Sequence, residues 1–458
     1  MKDTSPRITK SPWGLTEPGL WCRDADEIET WYAVMAKLYS GTGKSIFHIT
    51  CHASLQLPFP NLDYVYGAGE RLDKALQTAW LDLRRSHPCL SSTIEWYAET
   101  KSWRKQCYIP QSEQEEKAWL EETLKFVPGG ITGEDLANSD LSVTNLPILL
   151  VTSPEDRRTH TCPSDDSSSV GSLSASSSST SISSLAIMLR RDLVLRAPHD
   201  VLDGNGAFQT MQLLIANIAR CYAQKLQPEA SQAYNVEAMG LSFRDAADCG
   251  KTLNPDQLQV LAEGLNNPSP SSSANLISIP STSNAMLPGR HQRAALMLNE
   301  ECTRNLLEAC RVVGITPTQA YHAAIALIMR DVQLRTIEQH YLNYTCFVLM
   351  DGRQDCVTHS TIDPSQYALG VYHSASVLPA TLEVVVPRES DAHPTPAQKK
   401  YDFIHAVMQM KIAYHKATSN PDQLALAPLI KAARTPVLPD GWTEAPPSPS
   451  RLHKSIQM

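Results

Sequence analysis

Residues 193–206 read LVLRAPHDVLDGNG, and they are the most informative part of the chain. Its apolar half is typical of a buried strand that runs into His199, and Asp203 follows four residues later. Gly204 then opens a turn into an amphipathic segment. The end of a strand holds a side chain rigidly, and the turn after it can be shaped around a substrate. The stretch therefore predicts a strand, a turn and a helix with a functional site at their junction.

Three residues of this stretch are candidates for chemistry. An imidazole such as that of His199 titrates near neutral pH, so it can take a proton from a hydroxyl or an amine that attacks a substrate. Asp203 could orient the turn by pairing with an arginine instead of transferring a proton itself. Gly204 suits a backbone position at which a larger residue would clash. The alternative is a histidine that only caps a turn.

Helical and extended patterns alternate along the whole chain. Apolar residues at helical spacing predict helices over residues 70–86, 206–225, 299–312, 316–331 and 398–417. The helix over 316–331 is predicted to begin with Thr316 as its cap and Pro317 in its first turn. Two of these helices have a predicted buried face, which consists of Leu72, Ala75, Leu76, Ala79, Trp80 and Leu83 in 70–86, and of Phe208, Met211, Ile215, Ile218 and Tyr222 in 206–225. Apolar runs predict strands over residues 45–54, 146–151, 185–196, 341–350 and 369–378. Interleaved helices and strands indicate an α/β fold instead of a helical bundle or a β-sandwich.

The chain is expected to form two lobes, because its 458 residues are about three times the usual length of one domain. The predicted N-terminal lobe is 1–265, and it contains a serine tract at 164–184 that is expected to be a disordered loop. Residues 266–289 are the predicted interlobe linker. The C-terminal lobe is 290–458, with an irregular, proline-rich tail at 435–458.

The composition argues against several classes of protein. A net charge of −8, with no basic stripe interleaved with aromatic residues, argues against nucleic acid as a partner. No apolar run reaches the roughly eighteen residues of a membrane span, and a cytoplasmic protein is expected. The 11 cysteines are scattered without a C-x-x-C pair, which favours reduced thiols and predicts no metal site.

The H-x-x-x-D-G pattern of residues 199–204 resembles the motif of an acyltransferase superfamily. That superfamily includes the plant BAHD enzymes, the condensation domains of nonribosomal peptide synthetases and fungal trichothecene O-acetyltransferases. The chain is similar to it in four further segments, at residues 76–90, 314–324, 351–353 and 370–375. The overall sequence pattern, with Trp13-Gly14 near the start, most resembles the fungal trichothecene 15-O-acetyltransferase group.

The resemblance implies a particular architecture and mechanism. Each lobe would be built like chloramphenicol acetyltransferase, with a tunnel between the lobes that acyl-CoA and the acceptor enter from opposite faces. His199 would lie midway and act as the general base that activates an acceptor hydroxyl, without an acyl-enzyme. Asp203 would pair with an arginine from the start of the second lobe, Arg290 or Arg293. Backbone donors near Gly204 could stabilise the oxyanion.

The resemblance also implies the substrates. The expected reaction is transfer of an acyl group, most simply acetyl from acetyl-CoA, to a hydroxyl of a fungal secondary metabolite such as a terpenoid or polyketide. Acyl-CoA would be a co-substrate, with no bound cofactor, and the enzyme would be a monomer. His52, His322 and His373 are weaker candidates for the acceptor pocket.

The chain departs from the family pattern in three places. Pro198 stands where many condensation domains have a second histidine, which favours O-acylation over peptide bond formation. The D-F-G-W-G motif of BAHD enzymes is absent. The chain also stops soon after residues 447–450, where related proteins continue, so either this branch lacks that part or the chain is a shortened form.

Two other functions stay open from the sequence. One is a condensation-like enzyme that takes its acyl group from a carrier protein or catalyses a cyclisation in the same tunnel. The other is a two-lobed relic that binds a partner or a metabolite without catalysis. The intact His199, Asp203 and Gly204 argue against the relic, because a protein without catalysis has no reason to keep all three.

Overall fold

A computed structural model describes most of the chain. The described residues are 12–38, 47–60, 65–139, 144–154, 187–223, 233–249, 253–266, 275–280, 296–356 and 369–436. The predictions for the serine tract at 164–184, for Arg290 and Arg293, and for residues 437–458 of the tail lie outside the described residues.

Twelve strands and eleven α-helices are found in the described residues. The strands are β1 (Gly14–Glu17), β2 (Leu20–Asp24), β3 (His48–Phe59), β4 (Ser92–Tyr97), β5 (Ser102–Tyr108), β6 (Leu124–Val127), β7 (Ile148–Thr152), β8 (Ile187–Pro198), β9 (His340–Cys346), β10 (Leu349–Asp351), β11 (His373–Ala375) and β12 (Ala380–Val386). The helices are α1 (Glu27–Leu38), α2 (Ala68–Ser86), α3 (Glu113–Thr123), α4 (Gly133–Ala137), α5 (Gly204–Ala223), α6 (Phe243–Ala246), α7 (Pro255–Asn266), α8 (Glu300–Val313), α9 (Pro317–Asp331), α10 (Pro396–Thr418) and α11 (Gln423–Ala433). The α/β class predicted from the sequence is confirmed.

The main sheet of the N-terminal half has the strand order β3-β8-β7-β6. β8 pairs antiparallel with β3 along all of its length and with β7 on its other side, whereas β6 and β7 are parallel. Leu193, Val194 and Leu195 are fully buried because β8 is a central strand with both faces covered. Leu193 and Leu195 pack with α2 and α5, and Val194 packs with Leu136 of α4 on the opposite face. β8 therefore ends at the motif as a rigid support.

The two helices on this sheet differ in how well the sequence predicted their buried face. In α2 all six predicted residues are buried: Leu72, Ala75, Leu76, Ala79, Trp80 and Leu83. In α5 the prediction was partly wrong, since Phe208 is 68% exposed and Ile215 is 36% exposed. The buried residues are Gly206, Ala207, Thr210, Met211, Leu214, Ile218 and Cys221. The predicted and the observed buried faces of α5 are about one residue apart, and both fit helical spacing. The face that is buried has the smaller residues near the motif.

A second sheet of order β1-β2-β5-β4 was not predicted from the sequence. Its strands are short and rich in charged residues, as in β5 with Arg104 and Lys105, so their apolar pattern is weak. Lys105 is nevertheless buried, because its ammonium is 2.8 Å from a carboxylate oxygen of Glu29 in α1. This sheet therefore joins α1 to the body of the N-terminal half.

The C-terminal half is built on the antiparallel pair β9 and β12. α9 and α10 contribute Ala323, Ala326 and Met410 to its core. α9 begins with the predicted Thr316 cap and Pro317, and the structure adds a capping box between Thr316 and Gln319. The strand predicted over 341–350 is two strands, β9 and β10, which belong to different sheets.

Part of the predicted linker is packed. Within the described range 275–280, Leu276 forms a parallel bridge with Asn343 of β9. Ile277 is buried in the C-terminal core, so this portion of 266–289 belongs to the C-terminal half.

The described helices were also compared with the requirements of a membrane span. None of them alone is long and apolar enough to cross a bilayer. The pair α8 and α9 meets the length and composition only jointly, with a bend of 94° between the two helices.

Candidate active site

The motif forms the strand–turn–helix junction that the sequence predicted. The backbone N–H of His199 donates to the carbonyl of Phe47 at 3.1 Å, which extends the pairing of β8 with β3 by one residue. Val201 and Leu202 are buried in the turn, and both backbone N–H groups donate to the carbonyl of Pro198. The turn is thus held by the core beneath it, and His199 is presented at the end of the strand.

Asp203 anchors this turn to the C-terminal half. Arg353 donates to both carboxylate oxygens, at 2.8 and 3.0 Å. The backbone N–H groups of Gly206 and Tyr372 donate to the same carboxylate at 2.6 and 2.9 Å. The Asp203 backbone N–H in turn donates to the carbonyl of Gly370 at 3.0 Å. Gly370 and Tyr372 of the 370–375 segment are therefore held against the motif.

The charge of Asp203 is stabilised in the folded protein. Burial by itself would raise its pKa, but the neighbouring His373 and Arg353 outweigh burial and hold the pKa of Asp203 well below its usual range. An ionised carboxylate with four hydrogen-bond donors has a positioning role, and it does not exchange protons near neutral pH.

The position of the arginine differs from the sequence prediction. Arg290 and Arg293, predicted as partners of Asp203, lie outside the described residues. Arg353, from the Asp351-Gly352-Arg353 segment, makes the bidentate pair instead. Nη1 of Arg353, which donates to Asp203, also donates to Asp351 at 2.9 Å, so the two carboxylates share this nitrogen. A signal was present in the sequence, because this segment resembles the G-R segment of condensation domains, but that resemblance did not identify its partner.

The His199 ring lies between two other rings. It stacks on Tyr32 of α1 with the centroids 3.8 Å apart and the planes inclined by 9°. The centroid of His373 is 5.3 Å away. Burial, and then the neighbouring His373, lowers the pKa of His199 from 6.5 to about 4. The imidazole is therefore neutral at physiological pH, which is the form that accepts a proton.

Tyr32, His373 and Asp203 form a chain of polar contacts beside His199. The Tyr32 hydroxyl is 2.9 Å from Nε2 of His373, and Nδ1 of His373 is 3.6 Å from Oδ2 of Asp203. Burial and the Asp203 charge raise the pKa of Tyr32, so its hydroxyl stays protonated and can donate to His373. Asp203 thus contacts His373 directly, whereas His199 contacts these polar groups by stacking on Tyr32. Tyr32 was missed because a tyrosine within an ordinary amphipathic helix has no distinguishing pattern.

The three histidines predicted for the acceptor pocket are separated in the fold. His373 is the one beside His199. His52 faces Asp192, with Nε2 3.9 Å from a carboxylate oxygen. Nδ1 of His322 is 2.6 Å from the Tyr344 hydroxyl at the C-terminal core. Among the described contacts, none joins His52 or His322 to His199.

The two glycines that follow the motif aspartate have different surroundings. A Cβ on Gly204 would meet no atom within 4 Å, so the predicted steric need for glycine there is wrong. A Cβ on Gly206 would lie 2.9 Å from the carbonyl oxygen of Gly370 and 3.1 Å from Oδ1 of Asp203. The close approach of the two halves therefore requires glycine at 206, and the space at Gly204 is open.

A buried charge network supports the turn from below. Lys105 donates to the backbone carbonyl of Asp200 at 2.9 Å and to Glu29 at 2.8 Å. Arg23 donates to both oxygens of Glu29 at 2.7 Å. Burial raises the pKa of Asp200 to about 6, although the nearby Lys105 opposes it. The network ties the residue after His199 to α1, the helix that carries Tyr32.

Two other kinds of site were sought in the described residues. No group of three or more His, Cys, Asp or Glu side chains there is arranged to hold a metal ion. A cavity of about 450 Å³ lies in the C-terminal half between β12 and α10, lined in part by Arg330, Asp402 and His405. Neither His199 nor its neighbours line that cavity, so it is separate from the candidate active site.

Comparison with known proteins adds evidence on the fold. No protein-family model matches the chain, and no curated protein matches its sequence. The trichothecene 15-O-acetyltransferase TRI3 from Fusarium sporotrichioides has a similar structure, with a TM-score of 0.65 and 15% identity over 93% of this chain and 78% of that chain.

Two other solved structures are less similar. The condensation domain of the monacolin K polyketide synthase MokA has a TM-score of 0.45 and 12% identity, over 89% of this chain and 76% of that chain. The X-domain from teicoplanin biosynthesis has a TM-score of 0.45 and 15% identity, over 93% of this chain and 75% of that chain. At such identities a shared structure speaks for the fold and not for the substrate. The chain has the α/β fold of the trichothecene 15-O-acetyltransferase TRI3.

Proposed function

We propose that this protein is an acyl-CoA-dependent O-acyltransferase, with acetyl the simplest acyl group, that acts on a hydroxyl of a small secondary metabolite. The observation that carries the proposal is the neutral, half-buried His199 at the end of β8. The fold it shares with a trichothecene 15-O-acetyltransferase supports the same conclusion. Terpenoids and polyketides are the proposed acceptor classes, and a fungal source is part of the proposal.

The proposed chemistry is direct transfer. The His199 imidazole takes the proton of the acceptor hydroxyl as that oxygen attacks the thioester carbonyl carbon. The tetrahedral intermediate then collapses, the carbon–sulfur bond breaks, and the imidazolium returns its proton to the leaving thiolate. An ester and free CoA are the products, so that no group stays on the enzyme.

The neighbours of His199 have supporting roles in this proposal. Asp203 and Arg353 hold the turn, and Tyr32 holds the plane of the imidazole. The Asp203 carboxylate favours the transient imidazolium, because its charge acts against the effect of burial on the pKa of His199. Neutral before reaction and stabilised when protonated, His199 fits the needs of a general base.

The test measures release of CoA thiol from acetyl-CoA with a pooled panel of hydroxylated terpenoids and polyketides, and reads products by mass. We expect an acetylated product, and a loss of about 10²–10⁴-fold in rate for His199→Ala. His405→Ala is the matched control, because His405 is exposed on α10 away from the site. Activity that survives in His199→Ala would show that another group is the base.

The same assay distinguishes a donor bound to a carrier protein. If acetyl-CoA gives no product and free CoA does not raise the melting temperature, the panel is repeated with an acyl-phosphopantetheinyl carrier protein. Product in that arm alone would show that the acyl group comes from the carrier protein and not from CoA. The proposed role of His199 would not change.

A further inference from the structure

Lys431 is a half-buried cation close to the candidate base. It lies on α11, which packs against α1. Its ammonium nitrogen is 3.3 Å from the centroid of the Trp31 ring and 5.5 Å from that of Tyr32. Tyr32 stacks on His199, so two ring contacts separate the ammonium from the imidazole. The charge of Lys431 is near enough to contribute to the lowered pKa of His199.

The charge of Lys431 has no counter-ion in the part of the chain that the structure describes. No carboxylate there lies within salt-bridge distance of the Lys431 nitrogen. The charged group that affects the pKa of Lys431 is Arg434, which is also a cation. Burial, and then Arg434, lowers the pKa of Lys431 to about 8, so most molecules remain protonated at pH 7. The aromatic faces stabilise the cation without neutralising it. Because a cation that has lost part of its hydration is stabilised by an opposite charge, an anionic ligand would complete this site.

The position of Lys431 limits what that anion can be. With the thioester at His199, the pantetheine arm places the phosphates of CoA much farther from His199 than the Lys431 ammonium is. The anion must therefore belong to a part of a substrate close to the reacting atoms. A carboxylate on the acceptor, or one at the end of the acyl group, meets this requirement.

We propose that Lys431 binds a substrate carboxylate beside the reacting centre, so that the acceptor is a hydroxylated carboxylic acid or the acyl group is that of a dicarboxylic acid. The inference rests on the proposed function, because it takes His199 as the place of reaction. Arg434, the residue that follows α11, adds positive charge to the same region.

The test measures equilibrium binding by calorimetry with two matched pairs of probes. The acceptor arm compares 3-hydroxyoctanoate with its methyl ester, and the donor arm compares malonyl-CoA with acetyl-CoA. We expect the wild-type protein to bind the charged member about tenfold more tightly in one arm, because a charge-assisted hydrogen bond is made. The arm that responds identifies which substrate carries the carboxylate.

Four variants of lysine residues complete the test. Lys431→Met should abolish the preference for the charged probe, and Lys431→Arg should retain it. Lys416→Met is the matched control, since Lys416 is exposed on α10. Lys431→Gln replaces Lys431→Met if the latter does not fold by circular dichroism.

Two results would overturn the inference. One is a wild-type protein that prefers neither charged probe, and the other is a preference that persists in a folded, neutral Lys431 variant. Binding does not require turnover, so the outcome is separate from the fate of the proposed function. A charge preference without product would count against acyl transfer alone, and product without a charge preference would count against the carboxylate site alone.

Discussion

His199 gains its properties from neighbours that are distant in the sequence. Its ring is stacked on Tyr32 and close to His373, and burial is the largest cause of its lowered pKa. A low pKa makes the base weaker, but it keeps the proton-accepting form fully populated at neutral pH.

This environment predicts an unusual pH dependence of activity. A histidine with its ordinary pKa would make kcat/KM fall below pH 6.5, whereas a pKa of about 4 should keep kcat/KM level from pH 7 to about 5. The fall should come only near pH 4, as the imidazole becomes protonated. The measurement is a pH profile of kcat/KM, with circular dichroism at each pH to verify folding. A fall centred between pH 6 and 7 in folded protein would contradict the burial of His199.

At the scale of elements, the start of α5 is where the two halves of the molecule touch. Asp203 precedes the helix and accepts the Gly206 N–H, while the carbonyl of Gly370 lies against Gly206. The helix can approach so closely because position 206 has no side chain. Position 204, two residues earlier, is not crowded.

Alanine at these two glycines should therefore have different effects on stability. Gly206→Ala forces a Cβ against backbone and should destabilise the protein by about 1–3 kcal/mol. Gly204→Ala adds a methyl group to open space at the first residue of a helix and should be neutral or slightly stabilising. Urea unfolding of both variants measures the free energies of unfolding. Equal destabilisation of the two variants would mean that the packing at α5 is not as described.

At the scale of the whole molecule, the Asp203–Arg353 pair ties the N-terminal half to the C-terminal half. The partners are 150 residues apart in the chain, and both side chains are largely buried. α1 joins the same boundary, because Ile28 and Tyr32 share a core cluster with Val371 and Tyr372, and Trp31 lies under Lys431. The candidate site therefore lies at the interface of the two halves, and its geometry depends on how the halves pack against each other.

Removal of Arg353 should cost more stability than loss of an exposed arginine. Arg353→Met leaves the Asp203 charge buried and unpaired, and we expect a loss of about 3–5 kcal/mol in the free energy of unfolding. Because the folded pKa of Asp203 is lowered, its stabilisation is present above pH 4 and is lost in more acidic solution.

The wild-type advantage over Arg353→Met should thus shrink as the pH falls below 4, measured by urea unfolding at a series of pH values. Arg388→Met is the control, since Arg388 is exposed. A difference between wild type and Arg353→Met that does not change with pH would contradict the ionised state of Asp203.

Local pattern alone determined several features of this protein. The strand into His199, the turn, the buried face of α2 and the capped start of α9 all follow from residues within a few positions of each other. Such short-range signals, a run of buried apolar residues or a Thr-Pro cap, act before any distant contact exists. The α/β class and the candidate base could therefore be predicted.

Tertiary structure alone decided which groups surround His199. The docking of distant segments brings Arg353, and not the predicted Arg290 or Arg293, to Asp203 as its described partner. It also places Tyr32 beneath the imidazole and Lys431 over Trp31. The Tyr32 hydroxyl meets His373 across 341 residues of chain. No periodicity records such a contact, because it is set by how two packed halves fit together and not by the local preference of either segment.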